Sequence, residues 1–337
     1  MRTAELGRTG HHVSELALGC MLMGTRIDET TSHAILDRYA ADGGTFLDTA
    51  DCYAWWGRRD SDGGESEEVI GRWLTRGGRR DDVFLATKGS ALLASLDGVW
   101  GEGDEPVWEA SHRNGYVGAG GDTLRHSLDA SLRRLRTDHV DLYYVHVDDR
   151  ATPLEETLEA LAGLVEAGKT RYIGWSNVST WRLERIRALC ERHGWPTPVA
   201  LQQQHSYLRR RPGLDHVSIV DEAQLDYLRA HDDLTLVAYS PILKGVYDRP
   251  ERRAGFHAIE PYAGPDTDAR LAVLDEVAQE AGATPGQTVL AWLLSRRDPR
   301  CVPLVGPRTL DQYVSAARAT DLTLTPEQLA RLDAAGV

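Results

Sequence analysis

Four side chains in the first half of the sequence have the types needed to hand a proton to a carbonyl oxygen: Asp48, Tyr53, Lys88 and His146. A tyrosine hydroxyl ordinarily titrates near pH 10, too high for easy donation at neutral pH. A neighbouring ammonium favours the phenolate and lowers that value, and Lys88 is the candidate. A buried ammonium needs a counter-charge, which Asp48 provides. His146 can donate a hydrogen bond to a substrate oxygen and orient it. Together the four make a site that gives a proton where negative charge develops. Each has a plainer explanation when taken alone. An Asp after an apolar strand caps a turn, a Lys at a strand end is solvated, and a His after Tyr-Tyr-Val is a satisfied interior residue. Only the joint placement of all four favours chemistry.

That placement depends on the elements around them. Short runs rich in Val, Leu, Tyr and Ile predict strands at Leu16–Cys20, Phe46–Ala50, Val83–Lys88 and Val140–His146. Four more follow at Thr170–Ser176, Pro198–Gln203, Leu234–Ser240 and Cys301–Gly306. Buried parallel strands have this near-continuous apolar character. Between them run helical stripes, such as Leu124, Leu128, Leu132 and Leu135 after Asp122, and Leu183, Ile186, Leu189 and Cys190 before Gly194. Thr152-Pro153-Leu154-Glu155, Thr284-Pro285-Gly286-Gln287 and Thr325-Pro326-Glu327-Gln328 read as capped helix starts. Eight strands, each followed by a helix, predict an α/β fold: a closed (β/α)8 TIM barrel forming one domain over residues 1–337. The segment Thr3–Val13, with a turn at Gly7–Gly10, predicts a hairpin plugging the barrel bottom, and extra helices close the C-terminus. In such a barrel the strand ends open on one face, so Asp48, Lys88, His146 and the loop residue Tyr53 converge.

Composition narrows the function classes. A net charge of −13 disfavours nucleic acid and anionic membrane surfaces. No apolar stretch reaches the roughly 20 residues that cross a bilayer, and the first residues lack a signal-peptide core. Cys20, Cys52, Cys190 and Cys301 form no C-x-x-C pair and no zinc-finger spacing, so the reading is a cytoplasmic protein with no metal site.

The motifs together resemble the aldo-keto reductase family. The resemblance rests on FLDTADCY (46–53), Thr87-Lys88, VDLYYVH (140–146), GWSN (174–177), AYSP (238–241) and VPLVGPR (302–308). The opening LGRTGHHVSELALGCMLMG and the closing LTPEQLARLD are also similar. It implies a barrel reductase with Tyr53 as proton donor, and Asp48, Lys88 and His146 completing its tetrad. It implies that Ser176, Asn177 and Gln202 hold a nicotinamide carboxamide, that Tyr239 stacks on the ring, and that Met21 lines the cofactor site. Ser240, Pro241, Ile242, Leu243, Lys244 and Gly245 would pass the pyrophosphate. Gly306, Arg308 and Gln312 would bind the adenosine end, where an arginine pairs with a 2′-phosphate and favours NADPH over NADH. Ser315 and Ala316 stand where relatives carry Glu-Asn, which removes an adenine contact. Gln202-Gln203-Gln204-His205 replaces a more usual Gln-Asn-x-Tyr and changes a pocket wall at His205.

Trp55, Trp56, Trp100, Trp108 and His205 are the candidate substrate residues. Large aromatics over a barrel mouth suit a bulky carbonyl substrate such as a keto-sugar, a glycoside or an aromatic ketone. The alternative for the tryptophans is that they pin long loops. Two other functions fit less well: an NADPH-binding regulatory subunit, and an aldolase or isomerase using Lys88 as a Schiff-base amine. Oligomeric state is not legible.

Overall fold

A computed structural model describes residues 1–103, 105–214, 216–253 and 255–336. The chain opens with a hairpin of β1 (Thr3–Glu5) and β2 (His12–Ser14), paired antiparallel. Eight parallel strands then close into a barrel: β3 (Ala17–Gly19), β4 (Phe46–Asp48), β5 (Phe84–Gly89), β6 (Val140–Val145), β7 (Thr170–Ser176), β8 (Ala200–Gln204), β9 (Thr235–Tyr239) and β10 (Cys301–Val305). The order around the barrel follows the sequence, with β10 paired to both β9 and β3.

Helices cover the outside. Their apolar stripes, including Leu124, Leu128, Leu158, Leu161, Leu183 and Ile186, pack on the outward faces of the strands. The helix Thr180–His193 ends at Gly194, whose φ of +67° suits a residue without a Cβ. Thr284 and Thr325 each form the reciprocal capping box read from the sequence, opening Pro285–Leu294 and Pro326–Ala334. Thr152 does not. Its hydroxyl donates to Asp149 at 2.6 Å, so Pro153 takes the cap position and the helix Leu154–Glu166 begins one residue later than expected. Likewise Gly120, not Asp122, caps Gly121–Leu135.

The hairpin sits where the sequence placed it. Leu6 and Val13 pack with Phe46, Phe84 and Ala17 at the bottom of the barrel. The Gly7 N–H donates to Thr235 Oγ1 at 2.7 Å, and the Arg300 guanidinium donates to the Glu5 carbonyl. The long tract between β5 and β6 holds a helix of its own, Trp108–Asn114. No helix among the described residues is long and apolar enough to cross a membrane.

Candidate active site

Strand side chains alternate between two faces, and this alternation decides what the barrel interior contains. Phe46, Ala86, Leu142, Ala200 and Val237 form its apolar inner core. Two residues further along the same strands stand Asp48, Lys88, Tyr144, Gln202 and Tyr239, with His146 just past the end of β6. The interior therefore changes from apolar to polar at the C-terminal rim. Gly174 makes room for this layer, since a Cβ there would lie 2.6 Å from the Tyr144 ring.

The fully buried Lys88 ammonium donates to Asp48 Oδ1 at 2.5 Å, to the Thr49 carbonyl at 2.7 Å and to the Tyr53 hydroxyl at 3.2 Å. The other Asp48 oxygen accepts from Gln202 Nε2 at 2.7 Å. The Tyr53 ring meets the His146 imidazole edge-on, with centroids 5.5 Å apart. His146 Nδ1 lies 3.5 Å from Cys52 Sγ. The four sequence candidates thus form a chain of contacts, Asp48–Lys88–Tyr53–His146.

The electrostatics differ from the sequence expectation at one point. Burial pushes the Tyr53 phenol well above its ordinary value, and Asp48 pushes it the same way. Lys88, 3.2 Å from the hydroxyl, does not outweigh these two, because Asp48 pairs with its ammonium at 2.5 Å. A close ion pair projects a weaker field on a third group than a lone charge does. Burial, then Lys88, holds His146 well below its ordinary value, so its imidazole is neutral at physiological pH.

The cofactor candidates form a connected wall beside the tetrad. Asn177 Nδ2 donates to the His146 carbonyl at 2.7 Å and to Ser176 Oγ at 3.0 Å, and Asn177 Oδ1 accepts from the Tyr239 hydroxyl at 2.9 Å. Beyond Tyr239, Ser240, Leu243, Lys244 and Gly245 have φ of +52°, +45°, +56° and +79°. Non-glycine residues held there cost about 1–3 kcal/mol each, and such strain gathers at functional loops. Pro241 is buried, and its carbonyl accepts from Ser206 at 2.6 Å. Lys244 Nζ lies 2.8 Å from His257 Nε2, and burial together with Arg308 depresses the Lys244 ammonium. Arg308 and Gln312 are exposed and joined, the Arg308 N–H donating to Gln312 Oε1 at 2.8 Å, with Gly306 exposed just before them. Met21, past the end of β3, is exposed. Ser315 accepts from Gln287 Nε2 through its carbonyl at 2.9 Å.

Three of the tryptophans meet at the mouth. Trp55 lies 5.4 Å from both Trp56 and Trp108, and Trp56 lies 6.0 Å from Tyr53, between ring centroids. Trp108 remains 45% exposed, so its face is available. Trp100 packs nearby, but Arg59 lies over its ring at 5.7 Å and donates to Gly101 and Gly103, which ties that loop down. His205 is not at the mouth. The chain turns outward after β8, and His205 packs 6.3 Å from Trp292 in a separate cleft. Two contacts escaped the sequence reading. The Thr49 acceptor is a backbone carbonyl, which no residue type signals. Cys52 had only its adjacency to Tyr53 to mark it.

Comparison with known proteins agrees with this geometry. The aldo/keto reductase family model matches residues 15–336. The chain is 33% identical to the uncharacterized oxidoreductase YrpG of Bacillus subtilis (strain 168), over 99% of this chain and 95% of that one. It is 28% identical to an aryl-alcohol dehydrogenase [NADP(+)] of Phanerodontia chrysosporium, over 95% and 82%. A crystal structure of a thermostable aldo-keto reductase, in complex with the inhibitor epalrestat, superposes with a TM-score of 0.71 at 28% identity, covering 99% of both chains. The chain belongs to the aldo/keto reductase family. It is an NAD(P)H-dependent oxidoreductase of carbonyl groups.

Proposed function

We propose that residues 1–337 work as one barrel domain that reduces an aldehyde or ketone to an alcohol with NADPH, Tyr53 serving as general acid. The buried chain Gln202–Asp48–Lys88–Tyr53 is the observation that carries this reading. A bound nicotinamide supplies the hydride. As the carbonyl oxygen gains charge it becomes far more basic than a phenolate. A phenol kept protonated by burial therefore gives up its proton only at that moment. Lys88, held by Asp48 and Thr49, stabilises the phenolate left behind. Neutral His146, with Nδ1 turned to Cys52, donates from Nε2 to the same oxygen and orients it.

The chain's own residues fit the cofactor. Ser176, Asn177 and Gln202 would hold the carboxamide, Tyr239 the ring, and the left-handed run Leu243–Gly245 the pyrophosphate. Met21 and Pro241 would flank it, and Gly306 and Gln312 the adenosine end. Lys244 and Arg308 are close enough for one cation to depress the other, and neither has a carboxylate partner among the described residues. Such a pair suits the doubly charged 2′-phosphate of NADPH, which NADH lacks. The Trp55–Trp56–Trp108 cluster favours a bulky carbonyl, a keto-sugar, a glycoside or an aromatic ketone. Relatives with names such as aryl-alcohol dehydrogenase and versiconal hemiacetal acetate reductase support that class. Four free, buried cysteines support a reducing, cytoplasmic setting.

The test follows NADPH absorbance across carbonyls from small aldehydes to glycosides. Oxidation of NADPH, faster than of NADH, with the bulky members preferred, is expected. No oxidation with any carbonyl would refute the activity. Turnover of only the smallest aldehydes would refute the substrate class, and a preference for NADH the cofactor assignment.

A further inference from the structure

The cleft that holds His205 has no part in the reductase reading. It opens where the chain leaves β8, between the helices Glu222–Ala230 and Pro285–Leu294. Its volume is about 610 Å³, within the range of small-molecule sites. Leu225, Leu236, Cys301 and Trp292 give it an apolar lining. His205 adds a flat ring that is neutral, since burial pushes it down to about 4.

Its polar lining is basic, in a chain whose net charge is −13. Arg210 is matched by Asp221 at 2.8 Å, and Arg296 by Asp333. Arg209, Arg211, Arg229 and Arg270 also line the cleft and form no ion pair among the described residues. Of the remaining lining carboxylates only Glu222 and Asp298 stand against them, while Asp266, outside the lining, acts on Arg270 from a distance. Arg270 is the sharpest case. It is 2% exposed, and its guanidinium donates only to the carbonyls of Tyr207 and Ala335. A buried cation with only carbonyls in direct contact, and Asp266 acting from a distance, keeps part of its desolvation cost, which an anion in the cleft offsets. The Arg296 guanidinium lies over the Trp292 ring at 4.2 Å, so the cationic and aromatic parts of the cleft adjoin.

The structure assigns this cleft to an organic anion: a flat apolar or aromatic body resting against Trp292 and His205, carrying one carboxylate or phosphate to the arginines. Bare inorganic anions leave the apolar lining unused, and neutral aromatics leave the arginines unmatched. The site is separate from the barrel mouth, so it stands whether or not the NADPH and Tyr53 assignments do.

Isothermal titration of the full chain, saturated with NADPH to fill the mouth, tests it. The probes are 1-naphthyl phosphate, 1-naphthoate and inorganic phosphate. One naphthyl anion is expected to bind per chain. The exposed pair Arg209→Ala/Arg229→Ala should weaken it at least tenfold, about what losing a charge-assisted contact produces. Trp108→Ala at the mouth should not change it. The tighter of the two naphthyl probes tells phosphate from carboxylate, and either order supports the site. The proposal is overturned by absence of binding, by native affinity in the arginine pair, or by loss of binding in Trp108→Ala. Equal affinity for inorganic phosphate would also overturn it, by removing the role of the apolar body.

Discussion

Replacing Lys88 with methionine keeps the side chain's volume and removes its charge, which isolates the buried ion pair. In the native protein Asp48 has two partners, Lys88 at 2.5 Å and Gln202 at 2.7 Å. The variant leaves it only Gln202. Breaking a buried pair by deleting one member costs about 3–5 kcal/mol. Its pH dependence is more telling. Burial pushes the Asp48 carboxyl up, and Lys88 supplies the two largest opposing influences. Without Lys88 the folded carboxyl titrates well above the unfolded value of about 3.9. The folded variant then keeps a proton that the unfolded chain releases, so its stability falls as pH rises. The deficit relative to the native protein should be smallest below about pH 4, where Asp48 is protonated in folded and unfolded chains alike. It should grow by up to roughly 1.4 kcal/mol per pH unit once the native carboxyl, itself raised by burial, ionises, until Asp48 ionises in the variant's fold. Urea unfolding of both proteins at pH 5 and pH 8 measures this directly. An equal deficit at the two values would refute the reasoning, because Asp48 would then not depend on Lys88.

Tyr53→Phe removes one hydrogen bond, the 3.2 Å contact from Lys88, so stability should fall by only about 1 kcal/mol. Turnover should fall about 10²–10⁴-fold while NADPH affinity, read by fluorescence titration, stays within a few-fold. Since burial and Lys88 hold His146 well below its ordinary value, its neutral form persists through neutral pH. A pH profile of kcat/KM should therefore show no imidazole step between about pH 6 and pH 8, and a step there that vanishes in His146→Gln would contradict this. Trp108→Ala should raise KM for aromatic and glycosidic carbonyls about tenfold and leave that for small aldehydes nearly unchanged, because the exposed ring reaches only large substrates.

The order and type of the barrel elements were legible because buried parallel strands and amphipathic helices carry different periods. All eight strands fall within two residues of the bounds that pattern predicts. The tetrad was legible for the same reason: parity along each strand sends Asp48 and Lys88 to the same side as Phe46 and Ala86. Partner choice was not legible. Thr152 has the same local sequence pattern as Thr284, yet Asp149 captures its hydroxyl, a competition set by the fold around it. The sequence pairs Lys88 with Asp48 and predicts that it lowers the Tyr53 phenol, but the depth of burial, which together with Asp48 outweighs it, is set by the packing. His205 sits just past a strand end as active residues do. The direction in which the chain leaves β8 is a packing outcome, and it carries the ring away from the mouth.

The bottom hairpin bears on how the protein is made. Its residues leave the ribosome well before their seat is built: Gly7 bonds Thr235, 228 positions on, and Glu5 bonds Arg300, 295 positions on. At about 5–20 residues per second, the interval to Thr235 is on the order of ten to fifty seconds. Through that time Leu6 and Val13 lack the barrel floor that will cover them. A segment synthesised before the barrel strands is thus among the last to lock. A nascent chain stalled before β9 would carry an unseated apolar hairpin, a natural handle for chaperones and proteases.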